Sequence, residues 1–308
     1  MDLINKYNLR KTASGVGFCI FASSLTLYIS SYAMVIIAMI KGVKVDSTFE
    51  FLISTLGSVI AMFAVGLLYC AVSHTSIQSV IPVKKVQSGT LFKVVLVALA
   101  VSLLANYITD MLLNNLSFFG YENHLEMEYQ TYTPLENLFY IFSVAVMPAL
   151  VEEFMFRGIL LHKLRKYGDG FAVLCSSLIF GLIHGNLVQI PFAFIVGLAL
   201  GFIVIKTGSI IPSMIVHFIV NCSSVLITIM NNQINENVLD IIYILFLLAV
   251  IIGAIFSAVS LGRKKDFFSL SSNPEYPQKE ALINTLTSTG MIFSLIFVIL
   301  EISFSLMI

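Results

Sequence analysis

The feature that most constrains this chain is the recurrence of apolar runs long enough to cross a bilayer. A hydrocarbon core of about 30 Å takes roughly 20 apolar residues per helix, and nine segments approach or reach that length: Gly15–Ile40, Phe49–Ser73, Phe92–Leu113, Leu138–Phe156, Phe171–Gly185, Val188–Ile205, Ser209–Met230, Leu239–Leu261 and Leu286–Ile308. Composition agrees: of 308 residues 58% are hydrophobic and 11% charged, whereas a soluble domain has about 25% charged residues. The predicted fold is all-α, a polytopic membrane bundle of about eight or nine helices. The fifth segment is short and is compatible with a re-entrant arrangement.

Loop charge sets the predicted orientation, because cytoplasmic loops collect Lys and Arg. With the N-terminus inside, 15 of the 17 Lys and Arg residues fall on the cytoplasmic side, and only Lys41 and Lys44 fall outside. The loop 114–137, with Glu122, Glu126, Glu128 and Glu136, is then external. The expected location is a plasma membrane, bacterial by its Ile-rich, Trp-free composition. Lys+Arg and Asp+Glu balance at 17 each, which leaves no basic surplus for nucleic acid. The four cysteines lie in apolar stretches without CxxC spacing and read as buried small hydrophobes.

Three regions are expected: N-terminal helices and the acidic loop over 1–136, a core over 137–230 that holds the unusual polar residues, and C-terminal helices over 231–308. Within the last, the hydrophilic linker 263–285 should set the final helix slightly apart.

Ionisable residues inside spans are costly and mark candidate sites. Asp110, Asp240 and Glu301 lie near span ends and are expected at the interface. Six others do not. Glu152 and Glu153 are adjacent and cannot share a helical face, whereas Glu153 and Arg157 are four apart in the favourable acid-first order for an ion pair. Glu152 is thereby left without a local cation, the condition in which a buried carboxylate becomes a proton acceptor. Phe180 and His184 are co-facial, with Gly181 and Gly185 forming a small-xxx-small pair that admits a neighbouring helix. His217 and Asn221 are also four apart and can donate two hydrogen bonds to one oxygen. At about 1.5 Å per residue from the cytoplasmic ends of their spans, Glu152, His184 and His217 lie about 16, 20 and 12 Å deep. They could therefore share one cavity reachable from the cytoplasm.

Glu-Glu-xxx-Arg, then Phe-xxx-His, then His-xxx-Asn, each on an apolar helix, resembles the CPBP family. These are the type II CAAX-processing and bacteriocin-processing intramembrane proteases, also called the Abi family. Pro148 and Phe156-Arg157-Gly158 are similar to the family's flanking residues, and the resemblance covers about Met147 to Ser223. It implies an intramembrane endopeptidase in which Glu152 is the general base, helped by His184, and His217 and Asn221 hold the oxyanion. Glu153, Arg157 and Phe180 would support this arrangement. The substrate implied is a membrane-associated or lipid-anchored peptide entering from the membrane or cytoplasmic side.

Two chemistries stay open at this point: a metal-independent glutamate mechanism, or a divalent metal such as zinc on Glu152, His184 and His217. The latter set lacks HExxH spacing. A non-catalytic immunity or binding protein of the same fold, and an ion-coupled transporter, are the competing readings. Serine and aspartyl chemistries find neither GxSxG nor a GxGD context.

Overall fold

The computed structural model describes residues 1–42, 47–118, 133–231 and 235–305. Among these residues the chain forms helices and their connecting turns and no strand, with one isolated bridge between Gly168 and Ser272. Three long helices come first, α1 (Leu3–Ile40), α2 (Ser47–Val72) and α4 (Ser88–Phe118), with the single turn α3 (Ile77–Val80) before the last. A continuous helical rod follows over Pro134–Arg165. It comprises α5 (Pro134–Ile141), α6 (Met147–Glu153) and α7 (Leu161–Arg165), separated by π-helical turns at Phe142–Val146 and Phe154–Leu160. Then come α8 (Asp169–Leu182), α9 (Gln189–Thr207), α10 (Ile211–Asn231), α11 (Glu236–Gly262), α12 (Gln278–Leu286) and α13 (Thr289–Ser305).

Seven of the described helices are long and apolar enough to cross a membrane, and α12 with α13, bent by 70°, makes an eighth if the pair is one span. The difference from nine lies at the fifth segment. There α8 has only 14 residues, about 21 Å of helix. It returns as an antiparallel hairpin through α9: a Cβ on Gly181 would lie 2.9 Å from Ile190 O, and one on Gly197 would lie 3.1 Å from Ser177 Cβ. The expected helix approach at Gly181 is therefore made by α9. Gly185 does something else, since its φ of +67° forms the left-handed turn that ends the α8 rise.

The start of the rod is fixed locally. Thr133 and Glu136 form a reciprocal capping box (Glu136 N–H to Thr133 Oγ1 3.2 Å, Thr133 N–H to Glu136 Oε2 2.8 Å) with Pro134 in the first turn. Glu136 thus serves as a cap, while Glu122, Glu126 and Glu128 lie outside the described residues.

The hydrophilic linker does not hold the last helix apart. It crosses the Lys/Arg-rich end of the bundle, where Ser271 Oγ donates to Asp169 Oδ2 (2.6 Å), Asn273 Nδ2 to Lys166 O (3.1 Å) and Tyr276 OH to Asn5 Oδ1 (2.9 Å). Its second half is the helix α12. Beyond it α13 lies directly against α1: a Cβ on Gly17 would fall 2.3 Å from Met291 N, so the backbones touch. Small residues permit that approach without a side chain between helices. The main core packs α1, α2, the rod and α8 around Phe154, Phe156, Ile159, Phe171 and Phe180.

Candidate active site

The site begins with the geometry of the rod. In a π-turn the N–H bonds five residues back, as Met147 N–H does to Phe142 O and Leu161 N–H does to Phe156 O, and such turns concentrate at functional sites. The seven-residue α6, with Glu152 and Glu153 at its end, lies between the two π-turns. Pro148, in its first turn, has no N–H to offer the carbonyl four residues back, that of Val144. Asn221 gives that carbonyl a donor from another helix, its Nδ2 lying 3.1 Å from Val144 O.

Glu153 and Glu152 separate as their one-residue offset requires. The Glu153 side chain is fully buried, with Oε1 2.8 Å from Arg157 Nη1. The same oxygen accepts a 2.9 Å hydrogen bond from His217 Nδ1. Arg157 is held in turn by Gly197 O (3.4 Å) and lies 4.2 Å over the Phe180 ring. This buried cation has both an anion and a π face for compensation.

Glu152 keeps 20% of its side chain accessible, and its Oε2 lies 3.7 Å from His217 Nε2. One imidazole therefore stands between the two glutamates. The 3.7 Å gap exceeds a direct hydrogen bond.

His184 lies two residues beyond the end of α8. Its Nδ1 is 2.7 Å from Phe180 O. A carbonyl oxygen only accepts, so Nδ1 carries the proton and Nε2 is the nitrogen left for chemistry. The Phe180 ring meets His184 edge-on at 5.1 Å and His217 at 5.8 Å, and so sets the orientation of both imidazoles as well as of Arg157.

Glu152, Phe180, His184, His217 and Asn221 all line one cavity of about 670 Å³. Glu153 and Arg157 sit behind that wall. The direction of the cavity differs from expectation. Its lining continues along Asp110 and Leu113 of α4, Ile227 of α10 and Tyr243 of α11. Those positions lie toward the helix ends at 118, 231 and 236, opposite the Lys/Arg-rich end that the linker covers. The lining does not run toward the Lys/Arg-rich end, the one from which an approach was expected. Asp110, expected at an interface, is a cavity residue.

Among the described residues no three His, Cys, Asp or Glu side chains gather as a metal-binding group. Glu152, His184 and His217 share the cavity without closing into a ligand set, so no step is derived through a metal.

The motif spacings did not reveal three features: the bond from Glu153 to His217, the Gly197 carbonyl under Arg157, and the α4 wall of the cavity. The first two join distant elements and leave no local trace. The third does have a signal, the co-facial spacing of Ser102, Asn106, Thr109 and Asp110.

No curated protein and no solved structure matches the chain. The segment that holds all three polar motifs, residues 134–223, matches the family described as type II CAAX prenyl endopeptidase Rce1-like, the kind of protease that the motif order resembles.

Proposed function

We propose that the chain is an intramembrane endopeptidase that hydrolyses a peptide bond of a membrane-associated or lipid-anchored substrate, with Glu152 as the base. The observation that carries this reading is the division of labour between the two glutamates. Glu153 is consumed by Arg157 and His217, while Glu152 lines the cavity with His217 Nε2 at 3.7 Å and, among the described residues, no Lys or Arg paired to it.

A water bound between Glu152 and His184 Nε2 loses its proton to the Glu152 carboxylate as its oxygen attacks the carbonyl carbon. The negative charge that develops on the carbonyl oxygen is met by two donors. One is the His217 imidazole, which Glu153 holds through Nδ1. The other is the second amide hydrogen of Asn221, whose first goes to Val144 O. Donors held in place before the reaction stabilise this charge without reorganising. The proton on Glu152 then passes to the departing amine as the C–N bond breaks, and the carboxylate is regenerated.

The test is to incubate purified protein in detergent with a pool of apolar peptides and read products by mass spectrometry. New termini from the wild type and none from Glu152→Gln support the reading. No hydrolysis of any peptide by a folded wild type would favour the non-catalytic binding protein.

A further inference from the structure

The cavity has a second polar wall that the mechanism above does not use. Ser102, Asn106, Thr109 and Asp110 share one face of α4, and all four line the cavity across from Glu152, His184 and His217. This helix lies outside the segment 134–223. Ser102 turns its hydroxyl back to Ala98 O at 2.9 Å. Thr109 does not: it is 5% exposed, and its Oγ1 is buried with no hydrogen-bond partner. That oxygen has no surface open to the cavity, so the side chains of this wall that a ligand can reach are those of Asn106 and Asp110, both exposed.

Asp110 makes no ion pair among the described residues. Nor does the nearby sequence neutralise it, since from Asn106 to Tyr140 the chain carries five carboxylates and no Lys or Arg. Exposed in the cavity lining near the end of its span, this carboxylate is open to a cation that enters the cavity. From Ser102 to Asp110 the wall is about 12 Å long, the length of about three to four residues of extended peptide.

We propose that this wall is a substrate subsite in which Asp110 holds a lysine or arginine side chain of the peptide while Asn106 hydrogen-bonds its backbone. The assignment rests on the peptidase reading for its substrate class. It makes the enzyme selective for peptides with a positive charge on the side of the cavity away from the Lys/Arg-rich end.

The experiment uses the full chain in dodecyl maltoside and a fluorescein-labelled ten-residue peptide of serine and leucine with one central lysine, beside the same peptide with glutamine there. Binding is followed by anisotropy with Glu152→Gln protein, so that hydrolysis does not intervene. The lysine peptide should bind about tenfold more tightly than the glutamine peptide. Asp110→Asn, nearly isosteric, should remove that difference, and salt should weaken only the lysine peptide. Equal binding of the two peptides, a lysine preference that survives Asp110→Asn, or no binding at all would overturn the subsite. Displacement of the lysine peptide by phosphatidylethanolamine and not by phosphatidylglycerol would do so too, by assigning the wall to a headgroup ammonium.

A parallel digest with Glu152 intact separates the two readings. Lysine-selective binding without hydrolysis keeps the subsite and removes the peptidase. Hydrolysis of both peptides at equal rates keeps the peptidase and removes the subsite.

Discussion

His217 donates from Nδ1 to Glu153 at 2.9 Å, so the second glutamate of the Glu-Glu pair acts on the cavity only through an imidazole. Glu153 and Arg157 are both fully buried around that contact. Breaking such a pair by removing one partner leaves an unpaired buried charge, at about 3–5 kcal/mol. Arg157→Leu should therefore lower the yield of monodisperse protein on size-exclusion chromatography and its melting temperature in detergent. A well-folded but inactive Arg157→Leu protein would place Arg157 in the chemistry instead.

Asn221 is assigned two tasks, and a double-variant cycle separates them. Asn221→Leu removes the 3.1 Å bond to the part-buried Val144 O, a loss of about 0.5–1.5 kcal/mol. Pro148→Ala restores a backbone N–H to the rod, so Asn221→Leu should destabilise less in that background, a coupling of the kind cycles resolve. Activity should stay low in both Asn221 variants, because the oxyanion donor is gone. Additive changes in thermal stability would refute the contact at Val144, and full activity in Asn221→Leu would refute the oxyanion role.

The α8–α9 hairpin places Phe180 and His184 by close backbone approach. A Cβ at Gly181 would meet Ile190 O at 2.9 Å and Phe194 Cβ at 3.0 Å, so Gly181→Ala must push α9 outward and should destabilise by about 1–3 kcal/mol. Gly89→Ala is the control, with nothing within 4 Å of the new methyl. Thermal melts of the two variants should differ in that order, and equal melts would contradict the packing described.

Since no three ligating side chains close on a metal among the described residues, hydrolysis should persist after dialysis against EDTA and after 1,10-phenanthroline. Elemental analysis of the same sample is the companion measurement. Activity lost on chelation and regained with zinc would return Glu152, His184 and His217 to the role of ligands.

What the sequence displayed was what lies within one helical turn or one span: the apolar runs, the Glu153–Arg157 pair, the co-facial Phe180 and His184, and the glycine at 181 that lets a helix approach. The His217 bond to Glu153 joins residues 64 apart, and no local pattern encodes it. The π-turns on either side of α6 were equally hidden, because their hydrogen bonds shift by one residue without a change of composition. The linker 263–285 was polar because it binds the helix ends at Asp169, Lys166 and Asn5, a reason indistinguishable in sequence from solvent exposure. Asp110 looked interfacial by its distance from a span end; only the cavity beside it gives it another meaning.

The central claim is that Glu152 activates the attacking water, and the most direct measurement is hydrolysis by Glu152→Gln beside wild type, followed by mass spectrometry in water enriched in oxygen-18. The account predicts one heavy oxygen in the new carboxyl terminus with the wild type. It also predicts a rate for the variant lower by about 10²–10⁴-fold, with its elution and melting profile unchanged. A folded Glu152→Gln protein that cleaves at the wild-type rate would contradict the account.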